Sequence, residues 1–164
     1  MPQLPMVPGW EGWHPMLIHF PIVLFLLAPV FLLLAGFTKT EKRSTFLISA
    51  LLVMILGITS AYAAFEAGQA GAVLLEQTGQ VMTVVEHHRK LADLARTSLA
   101  IATLLFGLTL LMRTALELNL RELSAVLPVG FIAFYGLGLF WLIHAAYNGE
   151  RLVHEFGVGR VVSP

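Results

Sequence analysis

Six histidines are the residues of this chain best suited to chemistry: His14, His19, His87, His88, His144 and His154. Imidazole binds metal ions and haem iron, and it titrates near neutral pH. Cysteine is absent, which excludes disulfides, thiolate metal sites, iron–sulfur clusters and covalent c-type haem attachment through C-x-x-C-H. A zinc site of the H-E-x-x-H kind needs two histidines four apart on one helix, and no pair here has that spacing. Nor is there a nucleophile triad motif, a phosphate loop or a nucleic-acid surface. Ten basic and ten acidic residues cancel.

The elements that must position the histidines are four apolar runs, at about residues 15–37, 44–65, 91–112 and 123–147. Each approaches the roughly 20 apolar residues that span a hydrocarbon core as helix. Charged residues make up 12% of the chain, about half the share in an ordinary soluble domain. Four such runs cannot close a barrel, so helix is the one way to satisfy the backbone in lipid. The expected fold is all-α: a four-helix transmembrane bundle, up-down-up-down, forming one domain over residues 1–164. The first fifteen residues hold no Lys or Arg, and the first apolar run is too long for a signal h-region, so no signal peptide is expected. Pro21 and Pro29 lie inside the first run and predict a local bend. No sequence repeat is visible.

Up-down threading brings all six histidines to one side of the membrane. The turns on the other side, Thr38–Arg43 and Arg113–Glu122, contain none. Lys39, Lys42 and Arg43 cluster in the first turn and favour the cytoplasm. Both termini are therefore expected on the periplasmic side of a bacterial cytoplasmic (inner) membrane. The link 66–90 is expected to lie at that surface as a lid, with a short interfacial helix in AGAVLLEQTGQVM. Gly57, Ala61 and Ala64 form a small-residue stripe that lets helices approach closely. Gly130, Gly136 and Gly138 could do the same or leave room for a flat cofactor. Trp10, Trp13, Trp141 and Tyr147 fit an interfacial aromatic belt.

His19 and His144 each lie about 6 Å inside a run at 1.5 Å per residue, where an ionisable group is costly and marks a functional candidate. His154 reads as a hydrated interfacial residue, and His14 reads equally as that or as functional. A histidine cluster between facing helices suits haem b, one or two groups, for electron transfer. Axial ligands are expected from two helices, first among His19, His88 and His144, with His14 and His87 next. His87 and His88 point about 100° apart and so face different neighbours. Arg89, Lys90 and Arg151 could receive the propionates. Expected partners are membrane quinol, a c-type cytochrome, or other redox subunits of a larger complex, and no nucleic acid. A stand-alone enzyme is a poorer reading. Two alternatives stand beside haem: a non-haem metal site supplemented by Glu66, Glu86 or Glu150, and a cofactor-free accessory subunit.

Two segments, HPMLIHFPIVLF from His14 and NGERLVHEFGVGR from Asn148, resemble the hallmarks of a bacterial membrane family, domain of unknown function 2231. That family is similar over nearly the whole chain, with an opening H-P-x-x-x-H-F-P-I and a closing G-G-x-L-V-Y-x-x-G-V-G. The resemblance implies a four-helix membrane protein and gives weight to His14, Pro15, His19 and Pro21. It also implies a histidine at the start of the third helix, where His88 in HHRKLA matches best, and b-type haem. Glu150 and His154 depart from the closing pattern, at its second glycine and its tyrosine. His144 matches no part of it.

Overall fold

The computed structural model describes residues 9–38, 40–73, 79–114 and 121–158, with side chains left out at 11, 40–41, 113–114 and 121–128. Two prolines shape the entry. A 3₁₀ turn, Trp10–Trp13, leads into α1, His14–Leu17, with Pro15 in its first turn, where a missing N–H costs nothing. The helix breaks at Ile18 and resumes as α2, His19–Phe37. Pro21 explains the break: it has no N–H for the Leu17 carbonyl, and its ring crowds that oxygen.

Three longer helices follow: α3, Thr40–Val73; α4, Gly79–Thr114; and α5, Arg121–His154. Among the described residues, four segments are long and apolar enough to cross a membrane: His14–Phe37, Lys42–Val73, Gly79–Met112 and Val129–His154. The fold is the expected all-α, four-helix transmembrane bundle. The helices overrun the apolar runs, however. Most of the 66–90 link is the end of α3 and the start of α4 rather than a separate interfacial helix, and residues 74–78 lie outside the described part. Neither α3 nor α4 contains a proline. Nothing therefore stops either helix where its sequence turns polar.

Each helix packs on its chain neighbours. The pair α2–α3 forms one antiparallel hairpin, α4–α5 forms a second, and α3 packs on α4. The ring closes between α5 and α2. There the Tyr135 hydroxyl donates to the Phe25 carbonyl, and the two rings meet at 6.4 Å. Pro29 is the reason that carbonyl is available: four residues on, it cannot supply the usual helical N–H. A backbone oxygen orphaned in lipid needs a partner from a neighbouring helix, and Tyr135 supplies it. The core holds Phe25, Ala28, Ala50, Met54, Leu99, Ala102, Phe106 and Tyr135. Outward residues such as Leu26, Leu33, Leu52, Leu104, Ile132 and Ile143 are large, apolar and exposed, as a lipid-facing surface requires.

Candidate functional site

The bundle brings two of the six histidines together. His14, at the first position of α1, and His88, ten residues into α4, meet with ring centroids 6.2 Å apart and ring planes at 88°. Each ring is fixed in the same way. His14 Nδ1–H donates to the Ala64 carbonyl on α3 at 2.6 Å, and His88 Nδ1–H donates to the Ala145 carbonyl on α5 at 2.8 Å. A carbonyl within a helix already accepts from the N–H four residues on, yet keeps a second lone pair. What usually hides it is the side chain at that same later position, because Cβ atoms tilt toward the helix N-terminus. Here those positions are Gly68 and Gly149. A Cβ at Gly68 would sit 2.7 Å from His14 Nδ1, and one at Gly149 would sit 3.2 Å from His88 Cε1. The two A-x-x-x-G segments thus expose a carbonyl and make a seat for an imidazole.

The consequence is chemical. With Nδ1–H spent on a carbonyl, the neutral imidazole keeps its lone pair on Nε2. Metal-bound histidines characteristically donate their other ring nitrogen to a carbonyl or carboxylate, which fixes tautomer and ring orientation. The ring separation also suits a shared centre. A metal held linearly between two imidazoles keeps their centroids about 6 Å apart, given a metal–nitrogen bond of about 2.0 Å. Among the described residues, no group of three or more His, Asp or Glu side chains could hold a metal ion. The donor set is therefore two nitrogens. That set fits a metal whose remaining ligands come with it, as in a haem.

The remaining expected residues lie elsewhere. His19 is exposed on α2, just past the break at Ile18. His144 is exposed and turned onto its own helix, Nδ1–H donating to the Phe140 carbonyl at 2.8 Å and its ring 4.2 Å from the Phe140 ring. His87 is exposed in a shallow groove along α4 with Met82, Thr83, Glu86 and Lys90. His154 is exposed at the end of α5. The structure brings neither His19 nor His144 to His88; the break before α2 turns His14 to it instead.

The expected propionate partners lie near this end of the bundle, and each is engaged. Arg89 donates to Gln69 Oε1 of α3 at 3.0 Å, and Lys90 pairs with Glu86 at 3.7 Å. Arg151 forms a fork on Glu155 with two bonds of 2.9 Å, which holds the Glu155 carboxyl below its ordinary range. All are exposed or partly exposed on the surface, where such contacts are weak and exchangeable. Of the acids suggested for a non-haem site, Glu86 is taken by Lys90, and Glu66 and Glu150 are exposed.

Sequence reasoning passed over the seats themselves, Ala64 with Gly68 and Ala145 with Gly149. The recurring A-x-x-x-G on the second and fourth helices was the available signal. It also passed over Arg96, which lies between the rings of Tyr62 and Phe65, at 4.5 and 4.1 Å, and pairs with Asp93 at 2.5 Å. Comparison with known families gives a match over residues 12–161 to one described as "Predicted membrane protein (DUF2231)". No curated protein and no solved structure matches the chain.

Proposed function

The chain belongs to the DUF2231 family of predicted membrane proteins, and on that premise we propose that it is an electron-transfer protein that holds haem b between His14 and His88. The observation that carries this reading is the imidazole pair. Two helices distant in sequence present rings 6.2 Å apart, each anchored through Nδ1 on a backbone carbonyl. A packing role alone asks for no such matched anchoring. When bound, haem iron supplies reversible one-electron chemistry.

The chain's own residues supply the rest. Ala64 and Ala145 orient the imidazoles through their carbonyls, Gly68 and Gly149 let them approach, and the apolar core beneath keeps water from the inner side of the pair. A six-coordinate centre leaves no open position for substrate, so the role is electron transfer rather than catalysis. Arg89, Lys90 and Arg151 lie at the same end and can exchange their present partners for propionates. In this reading the site faces the periplasm from a bacterial inner membrane. There it exchanges electrons with quinol, a c-type cytochrome or another membrane redox subunit. The test is expression under anaerobic, haem-replete conditions, followed by a reduced-minus-oxidised spectrum of the purified protein. A Soret band with sharp α and β bands is expected. A colourless protein would leave the cofactor-free accessory subunit in its place.

A further inference from the structure

The two imidazole seats correspond residue for residue, and the correspondence extends through the bundle. His88 lies 74 positions after His14, and Ala145 and Gly149 lie 81 positions after Ala64 and Gly68. The same two offsets recur deeper in the membrane. In the first hairpin the Phe25 ring packs on Gly57, where a Cβ would come within 3.0 Å of it. In the second, Leu99 packs on Gly138, where a Cβ would come within 2.5 Å. Leu99 is 74 positions after Phe25, and Gly138 is 81 after Gly57.

Burial follows the same register. The buried residues of α2 are Pro21, Phe25, Ala28 and Ala35. Their counterparts 74 positions on, Ala95, Leu99, Ala102 and Thr109, are all buried. On α3, Ala50, Met54, Gly57, Ala64 and Ala67 are buried. So are Tyr135, Gly138, Ala145 and Asn148, 81 positions on, and of the counterparts only Phe131, which answers to Ala50, is half-buried rather than buried. A shared helical period would align burial along one helix. It would not also reproduce two cross-helix contacts and a side-chain-to-carbonyl bond with one pair of offsets.

We propose that the chain is a tandem pair of one helical hairpin arranged about a two-fold axis along the membrane normal. The imidazole pair on that axis is then a bipartite site made of two equivalent half-sites. Each half contributes one imidazole, one carbonyl that orients it and one glycine that admits it. Gly68 and Gly149 are its matched positioning residues. A ligand on the axis takes one nitrogen from each half, in equivalent positions. Its identity as haem rests on the reading above; the duplication does not.

The two parts are tested separately. The chain has no cysteine, so spin labels can be placed at will. Val23 and Leu52 are exposed on the first hairpin, and Thr97 and Ala133 are their exposed counterparts. The Val23–Ala133 distance should equal the Leu52–Thr97 distance in the full-length protein, with or without haem. A difference larger than about one helix diameter, ~10 Å, would overturn the two-fold arrangement. The half-sites are tested by Gly68→Ala and Gly149→Ala, with Gly107→Ala as control. At Gly107 a new Cβ would meet only the Leu51 methyl at an ordinary 3.6 Å. Imidazole ¹⁵N shifts of the haem-free protein should show His14 losing its fixed Nδ1–H form in the first variant, and His88 in the second. The control should change neither. Retention of both fixed tautomers in both variants would refute the half-site assignment, even if haem binding proved real.

Discussion

Tyr135→Phe deletes one oxygen and should destabilise the bundle by about 1–2 kcal/mol. The ring contacts to Phe25 and Phe131, at 6.4 and 5.3 Å, survive the change, so the loss comes from the hydroxyl. Its acceptor, the Phe25 carbonyl, has no helical N–H because Pro29 stands four residues on. Leaving a buried acceptor unpaired costs about 1–3 kcal/mol. Interhelical hydrogen bonds in membrane proteins average nearer about 0.6 kcal/mol, because the reference state finds other partners. The orphaned carbonyl of a proline helix has few, which places the expected value above that average. Reversible unfolding in mixed micelles measures it. The sharper assay is a double-mutant cycle with Pro29→Ala, which restores a helical N–H to the same carbonyl. In that background Tyr135→Phe should cost less than about 0.5 kcal/mol. An equal loss in both backgrounds would refute the argument that Tyr135 is there to serve the carbonyl that Pro29 frees.

Gly138→Ala should cost about 1–3 kcal/mol by overpacking. Its Cβ would strike Leu99 Cγ at 2.5 Å and the Leu99 backbone nitrogen at 3.2 Å, whereas Gly136→Ala, with nothing within 4 Å, should be neutral or stabilising in the same melt. Asp93→Asn should lower stability by about 1 kcal/mol or less: Asp93 is half exposed, and Arg96 keeps its two aromatic faces. A larger loss by unfolding titration would mean that Arg96 depends on its ion pair and not on the rings. A periplasm-active reporter fused after residue 164 should be active and a cytoplasm-active one silent; the reverse would invert the orientation drawn from Lys39, Lys42 and Arg43.

The four spans were legible because burial in lipid demands long apolar runs, and Leu, Ile, Val and Phe mark them without help from tertiary contacts. The helix ends were not. Residues such as Glu66, Gln69, His87 and Lys90 are polar, yet they continue α3 and α4, neither of which contains a proline. Threading placed the histidines at one end of the bundle but not in pairs. Depth alone favoured His19 and His144, while the pairing depends on the break that Pro21 makes at Ile18 and on two uncovered carbonyls. The hairpin repeat escaped because its identities are sparse. Its two halves also differ by seven residues in the connection between their helices, so a repeat sought at one fixed offset dissolves into two.

Ferric and ferrous spectra of the histidine variants decide whether His14 and His88 hold one haem iron between them. The intact protein should show a six-coordinate, low-spin haem with sharp α and β bands on reduction. His14→Ala and His88→Ala should each lose that signature, as a five-coordinate haem or as no haem at all. His19→Ala, His144→Ala and His154→Ala should keep it. Haem bound with an unaltered low-spin spectrum in either His14→Ala or His88→Ala would rule out this pair as its ligands.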